Sequence, residues 1–288
     1  MDSWTETCRG TVAPWECDVT EHFTIACYFA RVADAERTLA EALGLREFLR
    51  SGRFRRRVDL RFTRELREGS SFHVESAPLG FEGGLRLGHR FVDSANGTVV
   101  TWIMEHWELP PGTLPSERQN AIAGRLGAWE GPAFEQRPEP ASAAGFVAAA
   151  RGRVGPGDLN ADGRFGTAAM VHRFTEACQQ TGAAIGMDAA FLEKNRRGLS
   201  TFELALRLVG ALALDEPYLV ETGIAHFGNS SLRLIHRLSD PRSGAEVARL
   251  GQYAVNLDLD ARRPARWPDD IRARAETRVV PVGGSVSV

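Results

Sequence analysis

Lysine is almost missing from this chain. Lys194 is the single lysine among 35 basic residues, the rest being arginine, so covalent chemistry on a lysine amine has one candidate. Cysteine is scarce too. Cys8, Cys17, Cys27 and Cys178 form no C-x-x-C pair and no zinc-ligand spacing. They read as reduced thiols of a cytoplasmic protein, with no metal expected. No apolar run approaches the roughly 20 residues of a membrane-spanning helix. The opening "MDSWTETCRG" lacks the basic and apolar regions of a secretory leader, so no membrane association is expected. Charge of one sign is lacking as well: 35 basic residues against 37 acidic leave a formal net charge of -2, and nucleic acid is not expected as a partner. G-x-S-x-G, the P-loop, G-x-G-x-x-G after a strand and H-E-x-x-H are all absent. Nothing therefore points to an α/β serine hydrolase, a nucleotide-binding enzyme or a zinc protease.

What is present is repetition. "RGTVAP" at 9–14 returns as "RGRVGP" at 151–156. "ALG" at 42–44 returns as "AIG" at 184–186, and "LRLGHRFVDSANG" at 85–97 as "LRLIHRLSDPRSG" at 232–244. In the last pair His89 and His236 recur in register, as do Asp93 and Asp240. Three matches in one order at a nearly constant offset indicate a duplicated domain. We read an N-terminal domain at 1–110, a linker with one short helix at 111–147, a C-terminal domain at 148–276 and a tail at 277–288. The linker helix is signalled by Ser116 with Gln119 three residues on, a capping-box pattern.

Each copy has one internal order. A strand at 9–17 precedes a helix at about 23–43, where Ile25, Tyr28, Phe29, Val32, Ala35, Leu39 and Leu43 keep helical spacing. Four stretches follow, "RRRVDLRFTREL", "SFHVESAPLGF", "LRLGHRFVDS" and "TVVTWIMEHWEL", alternating or apolar and separated by turn residues. A long helix followed by an antiparallel meander predicts an α+β fold, a curved sheet wrapped around the helix: the hot-dog architecture. Two copies make a tandem (double) hot-dog, able to pair edge to edge and compatible with a homo-oligomer of such chains.

At the joint between first strand and helix stands "PWECDVTEHFTIACYF", residues 14–29. Asp18, His22 and Tyr28 fit the D-x-x-G-H-x-N-x-x-x-Y signature of the double hot-dog acyl-CoA thioesterases in the 4-hydroxybenzoyl-CoA thioesterase superfamily. The chain resembles that family, with Glu21 in place of the glycine and Thr24 in place of the asparagine. In the second copy Asn160 stands for Asp18, Gly163-Arg164 for Glu21-His22, and Met170 for Tyr28. The resemblance implies a thioester hydrolase acting on an acyl-CoA, or less readily on an acyl-carrier-protein thioester, with no cofactor beyond the coenzyme A of the substrate.

Thioester hydrolysis needs a polarised carbonyl and an attacking oxygen. Free N–H groups at a helix start, here Phe23 to Ala26, can hold an oxyanion. Asp18 is the first choice for the attacking or water-activating carboxylate and Glu21 the alternative, with His22 orienting water or carbonyl. Phe23, Thr24, Ile25 and Tyr28 are read as substrate-binding. Arg55 and Arg56, in the basic run "RFRRR" at 53–57, are read as a grip for the phosphates of coenzyme A. Asn160 and Arg164 mark a second, decayed site. The bland account stays beside this one: Asp, Glu and Thr also precede helices purely as caps, and His89 and His236 recur in both halves as structural residues. Two other functions remain. "GDLNADGR" at 157–164 is faintly similar to the G-D-x-N-P-x-H stretch of hot-dog enoyl-CoA hydratases, but Ala161 replaces its proline and the histidine falls on Asp162 or Arg164. The third reading is a degenerate double hot-dog that binds an acyl thioester or a protein without turnover.

Overall fold

The structure, a computed structural model, describes residues 3–51, 55–110 and 112–283, with the side chains of residues 51 and 55 outside the described set. It divides into two compact units: Met1–Ala133 with Arg207–Val209, and Phe134–Leu206 with Gly210–Val288.

In unit 1, β1 (Thr5–Thr11) leads through a 3-10 turn at Pro14–Glu16 into α1 (Ile25–Ala42) and the short α2 (Arg46–Ser51). Then come β2 (Arg55–Phe62), β3 (Ser71–Gly80), β4 (Leu85–Asp93), β5 (Val99–Glu108) and α3 (Ser116–Ala123). The strands lie in the order β1-β3-β4-β5-β2 and pair antiparallel. Helix α1 buries Ala26, Tyr28, Phe29, Val32, Ala35 and Leu39, the stripe its helical spacing predicts. Leu39 and Leu43 pack with Leu85, Leu87 and Trp107 of the sheet and with Ile122 of α3. Each such side chain contributes about 1.5–3 kcal/mol by leaving water.

Unit 2 repeats this path. Strand β6 (Val147–Arg153) and a 3-10 turn at Pro156–Asp158 precede α4 (Thr167–Ala184) and α5 (Ala189–Asn195). Then follow β7 (Arg197–Leu208), β8 (Pro217–Phe227), β9 (Ser231–Ser239), β10 (Glu246–Asp258), the two-residue β11 (Arg263–Pro264) and α6 (Asp269–Glu276). The order is β6-β8-β9-β10-β7, with β11 on β10. Even the irregularities recur: β1 bulges between Glu6 and Cys8, and β6 between Ala148 and Ala150. Past α6 the chain stays attached, Val280 N–H donating to Ile224 C=O at 2.8 Å.

One boundary differs from expectation in a way that bears on the site. The first strand ends at Thr11, not at residue 17. Pro14 cannot donate to a sheet and opens the 3-10 turn instead. Asp18 therefore lies in a loop between that turn and α1, not at a strand end. Among the described residues, no helix is long and apolar enough to cross a membrane.

Candidate active site

The loop from Cys17 to Thr24 is tied by its own backbone. Cys17 and Phe23 form an isolated antiparallel bridge. Asp18 N–H donates to His22 C=O at 2.9 Å and Glu21 N–H to Asp18 C=O at 2.9 Å. Asp18 Oδ1 accepts from Thr20 N–H at 2.8 Å, from the Thr20 hydroxyl at 2.5 Å and from His22 N–H at 3.4 Å. The Thr20 oxygen lies 3.0 Å from His22 Nδ1, and His22 Nε2 lies 2.7 Å from Glu65 Oε2, in the segment after β2. The hydroxyl proton goes to Asp18, so the Thr20 oxygen accepts from Nδ1–H. Asp18, Thr20, His22 and Glu65 thus form one chain that ends on a carboxylate 40% exposed to solvent.

Unit 2 builds the same loop without this chain. Asn160 Oδ1 accepts from Asp162 N–H at 3.0 Å and Arg164 N–H at 3.1 Å. Asn160 N–H donates to Arg164 C=O and Gly163 N–H to Asn160 C=O. Asp18 and Asn160 do one structural job, tying the loop. Glu21 and Gly163 share a left-handed backbone, φ 65° and 72°, which explains why glycine suits this position. The Glu21 carboxylate sits at the surface, 3.5 Å from Arg67. Counting from Leu66 and Leu212, whose carbonyls accept from Phe23 and Phe165 N–H, Ala211 stands where Glu65 stands. Arg164 stands where His22 stands. The histidine–carboxylate pair belongs to unit 1 alone.

The helix start is narrower than expected. Phe23 N–H is spent on Leu66 C=O and Thr24 N–H on Glu16 C=O, both at 2.8 Å. Thr24 is the N-cap and makes no side-chain cap bond. Among the described residues, the N–H groups of Ile25 and Ala26 have no hydrogen-bond partner, as expected for a first turn. Three substrate-binding expectations are corrected. Phe23 and Tyr28 are each 2% exposed, locked in an aromatic cluster with Phe62, Phe72 and Phe91. Burial pushes the Tyr28 phenol upward. Arg56 points inward, held between Glu36 Oε1 at 2.6 Å and Glu105 Oε2 at 2.8 Å, so it offers no grip on external phosphates. The Arg55 side chain, like residues 53 and 54 of the same run, lies outside the described residues.

The inward Arg56 belongs to a buried cluster whose members the sequence does not bring together: Glu105 and His89 stand out separately, and Glu36 does not. Glu36 on α1 and Glu105 on β5 are 4% and 1% exposed. Glu105 Oε2 also accepts from Trp107 Nε1 at 2.9 Å, and its Oε1 lies 3.8 Å from His89 Nε2. His89 Nδ1 meets the Ser76 hydroxyl at 2.7 Å, which meets Thr7 at 2.7 Å. One arginine cannot fully offset two buried carboxylates. Burial pushes Glu36 up to about 8, Glu105 adding like charge while Arg56 opposes the rise. Burial also works on Glu105, but Arg56 and His89 outweigh it and hold that carboxylate low. Glu36 keeps a proton where Glu105 is ionised. The equivalent centre of unit 2 is neutral: Thr222 to His236 at 2.8 Å, His236 to Gln252 at 3.1 Å, Gln252 to Thr201 at 2.7 Å. Among the described residues, no group of three or more His, Cys, Asp or Glu could hold a metal ion.

Residues 154–275, which lie in unit 2 apart from 207–209, match the family model described as the Thioesterase-like superfamily. No curated protein matches the chain in sequence. Among solved structures, the chain is similar to an acyl-ACP thioesterase from Bacteroides thetaiotaomicron, with TM-score 0.64 and 9% identity, over 88% of this chain and 98% of that one. It is similar also to the 12:0-ACP thioesterase from Umbellularia californica, with TM-score 0.64 and 14% identity, over 88% of this chain and 94% of that one. The tandem hot-dog fold is thereby shown across both units, and the thioesterase-like resemblance is matched in sequence over residues 154–275, outside the loop of unit 1.

Proposed function

We propose that this protein hydrolyses an acyl thioester at the start of α1 in unit 1, with Glu65 as the water-activating carboxylate. The observation that carries this reading is the His22–Glu65 pair, 2.7 Å apart, on a loop whose copy in unit 2 keeps the shape but not the pair. Glu65 takes a proton from water. The water oxygen attacks the thioester carbonyl carbon, and the N–H groups of Ile25 and Ala26 receive the developing oxyanion. As the C–S bond breaks, the thiolate leaves with the proton returned by Glu65. His22 holds Glu65, and Asp18 with Thr20 holds His22. Asp18 is thus a positioning residue, since neutral Asn160 ties the same loop. Glu21 turns to the surface, and Asn160 and Arg164 take no part.

The acyl-CoA reading comes from the resemblance, and Arg56, the expected grip for coenzyme A phosphates, is committed to buried carboxylates. The two acyl-ACP thioesterases of like fold support a carrier-protein thioester as a second reading. Free-thiol release from parallel panels of acyl-CoA and acyl-carrier-protein substrates tests both. Glu65→Gln should lower turnover by about 10²–10⁴-fold while the melting temperature stays close to wild type. Normal turnover in Glu65→Gln would end the assignment. Loss of enoyl-CoA absorbance without thiol release would replace it with the hydratase reading.

A further inference from the structure

The two halves of the proposed site sit on different elements. His22 and the N–H groups of Ile25 and Ala26 belong to the start of α1, while Glu65 follows the end of β2. Hydrolysis requires these two elements to stay in register to within a fraction of an ångström. Deeper in unit 1 the same elements are joined by a buried bond: Glu36 of α1 to Arg56 of β2 at 2.6 Å. Arg56 is in turn fixed to Glu105 of β5 at 2.8 Å.

Unit 2 supplies the contrast. Its helix carries Cys178 at the place of Glu36, and its β10 carries Gln252 at the place of Glu105. Counting back from the equivalent Leu66 and Leu212 puts Phe202 at the place of Arg56. The flanking inward residues agree, since Val58 and Leu60 correspond to Leu204 and Leu206, and all four are buried. The members of this buried link are replaced together, in the unit that also lacks counterparts of His22 and Glu65. The histidine–hydroxyl pair is kept in both units, as His89–Ser76 and His236–Thr222. A pair common to both halves serves the fold, whereas the link accompanies the site.

We infer that Glu36 is a positioning residue for the proposed hydrolysis: through Arg56 it seats α1 on β2 and so fixes the helix start against Glu65. The inference rests on the proposed function. Burying this cluster is costly in any case. A core of cysteine, phenylalanine and glutamine at the same places packs in unit 2, so stability alone does not call for the charges.

The test compares Glu36→Cys with Glu36→Gln, which keeps an acceptor for Arg56. A triple variant, Glu36→Cys with Arg56→Phe and Glu105→Gln, gives unit 1 the neutral set of unit 2 and guards against misfolding of the single variant. Folding is checked by circular dichroism. Turnover is read as kcat and KM, and the seat of α1 as amide hydrogen exchange across residues 25–28. The expected result is at least a tenfold loss of kcat in Glu36→Cys and in the folded triple variant. KM should stay within about twofold and exchange across 25–28 should rise, with both readouts near wild type in Glu36→Gln. Unchanged kcat in either folded cysteine variant overturns the inference. A wild type that hydrolyses no thioester ends the proposed function instead. Exchange then decides on the seat alone, unchanged rates overturning it and faster rates supporting it.

Discussion

Replacing Glu36 by glutamine should make the protein more stable than wild type above neutral pH, with the difference vanishing in acid. Folded Glu36 keeps its proton up to about 8, whereas the unfolded chain releases it near the ordinary glutamate value of 4.5. Between those limits folding takes up a proton, so wild-type stability falls as pH rises and levels off above about 8. Glutamine has no proton to lose and retains an oxygen for Arg56, so its stability curve lacks this slope. Each pH unit of the window corresponds to about 1.4 kcal/mol. A difference on the order of a few kcal/mol is therefore expected at pH 8.5, a sizeable share of a total near 5–15 kcal/mol. Urea unfolding of both proteins at pH 5, 7 and 8.5 measures it. Parallel stability curves across that range would refute the claim that Glu36 is buried as the acid.

Asp18→Asn should keep the melting temperature within a degree or two and lower turnover less than tenfold, because Asn160 ties the equivalent loop. Asp18→Ala should cost roughly 0.5–2 kcal/mol, as loss of a capping oxygen does, and a loss of turnover above a hundredfold in Asp18→Asn would return the carboxylate to the chemistry. Glu21→Gly should leave turnover unchanged and stability equal or higher, since glycine takes the left-handed backbone without strain; a thermal melt and a thiol-release assay check it. Burial pushes His236 down to about 4, so stability should be lost as pH falls from the ordinary imidazole range toward 4. His236→Gln should lack that part of the slope in acid unfolding curves.

The helix and the four strands after it were legible because their signals are local. Val32, Ala35 and Leu39 mark one helix face, and alternation marks β3 and β5. The duplication was legible because strands carry it in register, "LRLGHR" against "LRLIHR". The site was half legible. Asp18 and His22 stood out by spacing, but Glu65 is distant in sequence and meets His22 only through the tie of Phe23 to Leu66. Within "RFTREL", Glu65 looks like any exposed charge. Arg56 reads as a phosphate grip because nothing within its run of arginines signals a buried partner. Only the partners Glu36 and Glu105, on other elements, draw it inward. A signal did exist: Glu36 falls on the buried stripe of α1, next to Ala35 and between Val32 and Leu39, where a carboxylate is out of place without a partner.

Duplication provides an internal control that a single domain lacks. Glu16 accepts from Arg31 at 2.8 Å and from Ala13 N–H at 2.9 Å. In unit 2 Asp158 accepts from Arg173 at 3.2 Å and from Gly155 N–H at 2.9 Å. A carboxylate, an arginine and a backbone donor return at matching places, although one loop ends in His22 and the other in Arg164. The same holds for the oxygen that ties each loop, Asp18 or Asn160. Features that survive the loss of the histidine–carboxylate pair are explained by the loop itself. By that criterion the acidic residue with the most obvious spacing, Asp18, fits the holding of the loop, and the proposed chemistry rests on Glu65, where unit 2 carries Ala211.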